Sequence, residues 1–169
     1  TSFIYDRNGN LIAEYKGLEH RIWASLDEIP KDLQNALIAT EDVRFYAHNG
    51  LDYKRLAGAF INNLRSESVQ GGSTITQQLI KNTMLSPEQT YKRKIQEAYL
   101  AIQLEQEYDK DEILEAYLNT IYLGSGNYGV KAAAMNYFGK ELKDLNLREC
   151  ADLVGITKNP YRYDLRLNF

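Results

Sequence analysis

Four helix starts along this chain are marked by a short polar residue followed three positions later by Glu or Gln: Thr74 and Gln77, Ser86 and Gln89, Asp109 and Glu112, Asn146 and Glu149. In such a pair the first side chain accepts from an orphan backbone N–H of a new helix while the second reaches back, so each pair marks a helix start. Behind each one the apolar residues recur at three and four rather than at two, which is the helical period. Two more helices follow from other signals. Asp27 to Pro30 opens a first helix that runs on toward Glu41 and Tyr46, and Asp52 caps a second in which Leu56, Phe60 and Leu64 recur every four residues. Val130 to Phe138 reads as a short alanine-rich helix stopped by Gly139, and the last helix ends before Pro160. Only the N-terminus reads otherwise. Phe3-Ile4-Tyr5 and Leu11-Ile12-Ala13 flank the turn dipeptide Asn8-Gly9, which predicts a hairpin. The expected fold class is mainly α with a short N-terminal β-hairpin.

Composition narrows the function. At 169 residues, residues 1–169 suffice for a single domain with its own core. A net charge of −3 without a basic patch leaves no footprint for nucleic acid. Cys150 is the only cysteine, so no internal disulfide forms, and its place in a helical apolar pattern marks it as packing. No apolar run approaches the roughly 20 residues of a membrane span. Thirteen tyrosines against one tryptophan supply amphipathic rings of the kind that suit sugars and membrane interfaces.

The stretch Glu41-Asp42-Val43-Arg44-Phe45-Tyr46-Ala47-His48-Asn49-Gly50 carries the strongest chemical signal. Leu33 and Leu37 precede Glu41 at helical spacing, which puts a carboxylate at the edge of an apolar face. Loss of water disfavours the charged form of a carboxylate and suits it to exchange protons. A second polar cluster lies on the third helix, where Gln77 and Lys81, and Gln78 and Asn82, are each four apart beside Gly71-Gly72. The amides of that helix's N-terminus, its dipole and Lys81 together would suit a phosphate. In the longest helix, expected from Ser86 to about Tyr108, Ile95, Tyr99 and Ile102 lie on one side and Leu100 and Leu104 on the other. A helix apolar on two sides is central, and Arg93 and Glu97 would form a buried ion pair on it. Residues 65–72 have no periodicity and read as a mobile loop that could gate a site.

Taken in order, Glu41-Asp42-x-x-Phe45-x-x-His48-x-Gly50, then Gly72-Ser73-Thr74-Ile75-Thr76-Gln77-Gln78-x-x-Lys81-Asn82, then Arg93-Lys94-x-x-Glu97, then Ile113-Leu114-Glu115-x-Tyr117-Leu118-Asn119 resemble four consecutive motifs of the peptidoglycan glycosyltransferase family. Ala151-Asp152-Leu153-Val154-Gly155 resembles a fifth, and the hairpin resembles the segment that in the family follows a membrane anchor. The departures lie at the end. Ile156-Thr157-Lys158-Asn159-Pro160 stands where the family reads closer to Leu-Pro-x-Ala-Pro, and the helical tail expected beyond Tyr163 is missing. With no anchor before it and no transpeptidase domain after it, the sequence reads as the catalytic domain of a longer, membrane-anchored protein.

The resemblance implies a lysozyme-like bilobal helical fold whose apolar jaw, at the second helix and the 65–70 loop, dips into the membrane. It implies an inverting enzyme that polymerises lipid II into β-1,4-linked glycan and releases polyprenyl diphosphate, at the outer face of a bacterial cell membrane. Glu41 would be the general base. Lys81 and Arg93 would steady the diphosphate, and Glu97 would orient these groups or a divalent cation, Mg or Mn, bound to the diphosphate; no dedicated ligand cluster for a metal is visible. Asp42, Phe45 and His48 would brace the site, and Ser73, Thr74, Gln77, Gln78 and Asn82 would line the donor pocket. The partners implied are lipid II, the growing strand, the membrane surface and a linked or separate transpeptidase. Two rivals remain at this point. A lysozyme-like lytic enzyme would use two glutamates too, although a neutral glycan needs no cationic cradle. A catalytically silent cell-wall module would have no use for Glu41, Lys81 and Glu97 together.

Overall fold

A computed structural model describes residues 2–15, 19–65, 71–86, 88 and 90–166; the side chains of 2, 3, 11, 13–15 and 60–65 are outside that description. Residues 66–70 of the expected loop and jaw, and the side chains of the jaw's helix beyond Ala59, therefore lie outside that description. The fold is mainly helical. Strands β1 (Ser2–Tyr5) and β2 (Leu11–Tyr15) form the expected antiparallel hairpin, with Ser2 opposite Tyr15 and a register shift between Ile4 and Tyr5. Asp6 closes its turn, accepting from the N–H groups of Asn8 and Asn10 at 2.8 Å each. After β3 (His20–Arg21) come α1 (Lys31–Glu41), a 3-10 turn (Phe45–Ala47), α2 (Tyr53–Arg65), α3 (Ile75–Thr83), α4 (Tyr91–Glu107) and α5 (Lys110–Thr120). Then follow β4 (Asn127–Tyr128), α6 (Val130–Phe138), a second 3-10 turn (Leu142–Asp144) and α7 (Leu147–Lys158). Among the described residues no helix is long and apolar enough to cross a membrane.

The chain divides into two compact units, Thr1–Ala36 with Leu118–Phe169, and Leu37–Tyr117. In the first, α6 and α7 bury Val130, Ala132, Ala133, Ala134, Cys150, Leu153 and Ile156. Asn146 and Glu149 form the expected capping box of α7, and Gly139 ends α6 in the left-handed conformation at φ 63°. Asn119 clasps the segment before α1, accepting from the Ala24 N–H and donating to its C=O at 2.8 Å each. The parallel pair β3–β4 also belongs here, His20 opposite Asn127. It is an addition to the expected architecture, since two-residue strands leave no alternation to read in a sequence.

The second unit departs from expectation in three places. Helix α1 stops at Glu41 instead of running to Tyr46, because the Asp42 side chain turns inward and accepts from the Ile75 N–H at the start of α3. Helix α4 starts at Tyr91, capped by Thr90, whose hydroxyl accepts from the Arg93 N–H at 3.1 Å; the Ser86 signature stands too early to cap it. And α4 is not apolar on two buried sides. Its buried face is Glu97 and Ala101, 1% and 0% exposed, followed one turn on by the buried Glu105 side chain, whereas Ile95 and Tyr99 are 71% and 61% exposed. The reason is Gly50, at φ +85°: a Cβ there would lie 2.7 Å from the Ala101 carbonyl oxygen. Backbone meets backbone at that crossing, and only small residues let α4 approach so closely.

Candidate active site

Glu41 ends α1 on the same face as Leu33 and Leu37, each 1% exposed, and is itself 9% exposed. Its apolar neighbours come from helical spacing, and its polar partner comes from α3: Gln78 Nε2 donates to Glu41 Oε2 at 3.0 Å. The adjacent Gln77 serves the other glutamate, its Nε2 donating to Glu97 Oε1 at 3.2 Å. Gln77 is also half of the predicted capping box, since its Oε1 accepts from the Thr74 N–H while Thr74 Oγ1 accepts from the Gln77 N–H, both at 3.1 Å. Consecutive residues on a helix point about 100° apart, so two neighbouring amides reach two different carboxylates. Tyr117 Oη donates to Gln78 Oε1 at 2.9 Å and completes the row.

Behind Glu41 lies a buried charged cluster. Asp42 is 0% exposed; its Oδ2 accepts from the Ile75 N–H at 3.0 Å and lies 2.9 Å from His48 Nε2. The other ring nitrogen, Nδ1, lies 3.5 Å from Lys110 Nζ and 3.9 Å from Glu105 Oε1. Lys110 Nζ meets Glu105 Oε2 at 2.6 Å, and Thr76 Oγ1 donates to Glu105 Oε1. Phe45, fully buried, sits edge-on to His48 with centroids 6.2 Å apart, and Lys110 lies over its ring. Thr74 Oγ1 donates to the Gly50 carbonyl at 2.7 Å. The segment from Glu41 to Gly50 thus fastens the end of α1 to the start of α3, with α4 held against Gly50. Arg44 and Asp52 add a two-pronged pair at 2.6 and 2.9 Å, and Asp52 caps α2 through the Arg55 N–H, as expected. Burial pushes the Asp52 carboxyl up, but Arg44 and the Arg55 amide outweigh it and hold the group below the usual carboxylate range.

Two sequence expectations need correction. Glu97 bonds to Lys94, three residues earlier, and not to Arg93. Lys94 Nζ bridges Glu97 Oε1 and the Ser73 hydroxyl, the latter at 2.7 Å. Arg93 is half-buried with a buried Nε that has no hydrogen-bond partner among the described residues. The N-terminus of α3 is not open to an anion either, since its amides at Ile75 and Gln77 are taken by Asp42 and Thr74, and a carboxylate already occupies the positive end of the dipole. Any anion held here is held by side chains. Lys81 and Asn82 are exposed at the far end of α3, Lys81 one turn beyond Gln77 and Gln78.

Glu105 belongs to this constellation and was not singled out from sequence, and Lys94 and Tyr117 belong to it although they stood in motifs without an assigned role. Lys94 had a readable signal, being three residues before Glu97 on a helix. Glu105 had only its place one turn past Ala101. Tyr117 read as part of a core stripe, which it also is, at 1% exposure. Among the described residues no group of three His, Cys, Asp or Glu side chains could hold a metal ion.

The sequence pattern of a family described as Transglycosylase matches residues 8–169. Over 168 residues the chain is 49% identical to penicillin-binding protein 1A of Clostridium perfringens strain 13, covering 96% of this chain and 25% of that protein. It is 50% identical over 167 residues to penicillin-binding protein 1A of Streptococcus pneumoniae R6, covering 97% and 23%. With penicillin-binding protein 1A/1B of Bacillus subtilis strain 168 it shares 49% identity over 166 residues, covering 97% and 18%. The chain spans a quarter or less of the length of these relatives.

Proposed function

Because this chain belongs to the transglycosylase family, we propose that it is a peptidoglycan glycosyltransferase that joins lipid II units into β-1,4-linked glycan with release of polyprenyl diphosphate. The observation that carries the reading is the row of donors on α3, where Gln77 and Gln78 each orient one of two buried glutamates. An ionised carboxylate accepts and never donates. Gln78 fixes one Glu41 oxygen, and Glu41 then takes the proton of the acceptor's 4-hydroxyl as the acceptor's O4 attacks the donor's anomeric carbon. The C1–O bond to the diphosphate breaks on the opposite face, which inverts the configuration, and the electron pair leaves with the diphosphate.

The leaving group's charge is assigned to Lys81 and Arg93. An Arg93 Nε that is buried without a hydrogen-bond partner supports this, since such groups are rare and costly unless a ligand completes them. Ser73, Gln78 and Asn82 line the donor side, and Thr74 and Gln77, buried and bonded to Gly50 and Glu97, hold the start of α3 behind them; Lys94 and Glu97 hold Ser73 in place. Asp42, Phe45 and His48 brace Glu41 and touch no reactant. A divalent cation carried by the diphosphate would meet Glu97 as a buried carboxylate. The described residues build no resident metal site, so no step is derived through a metal. The substrate's polyprenyl chain places the work at a membrane surface, on the outer face of a bacterial cell, and the relatives' names support a linked transpeptidase partner.

Incubation with labelled lipid II, followed by gel separation, tests this: a ladder of lengthening glycan is expected. Shortening of preformed glycan without elongation, or no reaction, overturns it.

A further inference from the structure

We propose that Tyr117 is a positioning residue for Glu41, acting through the Gln78 side-chain amide, and that its hydroxyl keeps this hydrogen-bond row complete both before and after Glu41 takes up a proton. The inference rests on the role of Glu41 as the base. Tyr117 lies near the end of α5, 1% exposed, and its hydroxyl donates to Gln78 Oε1 at 2.9 Å while Gln78 Nε2 donates to Glu41 Oε2 at 3.0 Å. An amide has one accepting and one donating end, and which end faces Glu41 decides whether the contact attracts or repels. Ionised Glu41 accepts only, so the nitrogen must face it. That leaves Oε1 toward Tyr117, where a donor is required. Burial and then the negative charge of Glu41 push the Tyr117 phenol far above the usual tyrosine range, so the donor is always protonated.

Once Glu41 has taken the acceptor's proton on Oε1, the oxygen not bonded to Gln78, a half-turn of the carboxyl lets that O–H donate toward the amide. Gln78 can then turn over, present Oε1 to the new O–H and present Nε2 to Tyr117, whose oxygen now accepts. A hydroxyl combines both roles on one atom. Phenylalanine has neither, and lysine or arginine would only donate. No proton moves along the row; rotations of the carboxyl, the amide and the hydroxyl re-pair it. Without the hydroxyl, one end of the amide is left in the core with no partner, and the orientation of Glu41 is no longer fixed by its neighbour.

The test compares Tyr117→Phe, Gln78→Leu and the double variant in lipid II polymerisation, assayed well below each melting temperature. Tyr117→Phe should lower kcat about tenfold to a hundredfold, the size expected when one buried polar partner is removed, with KM little changed. Added to Gln78→Leu it should lower kcat no further, because the hydroxyl acts only through the amide. Losses that multiply in the double variant, or a Tyr117→Phe kcat close to that of the wild type, overturn the proposal. A second measurement needs neither turnover nor a folded variant. In 15N-labelled wild-type protein the Gln78 side-chain amide protons should exchange slowly with solvent, and fast exchange would end the idea of a fixed relay. Failure of the wild type to elongate lipid II would instead remove the proposed function, and the amide measurement would still stand on its own.

Discussion

Buried polar side chains in the two units are used differently. In the unit that holds α6 and α7, Asn119, Asn127 and Asp164 are spent on backbone and on neighbouring side chains. Both ends of the Asn119 amide are bonded to Ala24, Asn127 bonds the Gly124 carbonyl and Asn136, and Asp164 accepts from the Ser125 hydroxyl and the Arg166 N–H. In the unit that holds α3 and α4, buried groups keep capacity in reserve: among the described residues, Glu97 Oε2 and Arg93 Nε have no hydrogen-bond partner. Saturated groups hold loops in shape. Unsaturated ones cost stability, and a fold that keeps them signals chemistry with something outside the chain.

The sharpest way to break this contrast is Glu41→Gln, which keeps the shape but cannot take a proton. Turnover of lipid II should fall by about 10² to 10⁴, while the melting temperature stays close to that of the wild type; a large loss of stability instead would place Glu41 among the structural groups. Asn119→Ala should do the reverse. It strands the buried Ala24 N–H and C=O, so urea unfolding should report a loss of about 2 to 4 kcal/mol, and a variant as stable as the wild type would show that the clasp contributes nothing.

Asp52 lies on the side of the active unit yet is fully used, and pH reveals it. Its carboxyl is depressed in the folded state, so its contribution is present above the ordinary carboxylate range and disappears as pH falls through the folded value. Removing Arg44, which is partly exposed, should cost on the order of 1 to 2 kcal/mol near neutral pH and shrink the loss of stability on acidification, since the Asp52 value then moves back toward its unfolded one. Acid titration followed by circular dichroism measures both. The smallest effect belongs to α4. Ile95→Gln should change stability by no more than about 0.5 kcal/mol, whereas a residue buried as the sequence suggested would lose several times that on chemical unfolding.

Ile95 marks where sequence reasoning fell short. Periodicity finds a helix but not which of two apolar stripes faces inward, and in α4 that was decided by the close crossing at Gly50 and Ala101, a contact between residues 51 positions apart. Local signals fared better. The capping boxes at Thr74 and Asn146, the Asp52 cap, the Asn8-Gly9 turn and the Gly139 stop involve partners within a few residues, and each stands where the sequence put it. At the site, spacing put Glu41 beside Leu33 and Leu37, but it gave Glu97 the wrong cation, because Lys94 and Arg93 are both within helical reach and only the direction of the Ser73 hydroxyl separates them. The row from Tyr117 through Gln78 to Glu41 joins three helices and has no local signature.

The single Asp42 oxygen shared by His48 and the first amide of α3 also bears on how such a domain can be recombined. A crossover between residues 50 and 75 would take the carboxylate and the imidazole from one parent and the helix start that they hold from another. Hybrids with that junction should fold only when both parents set the same atoms there, so shuffled libraries should lose this breakpoint first.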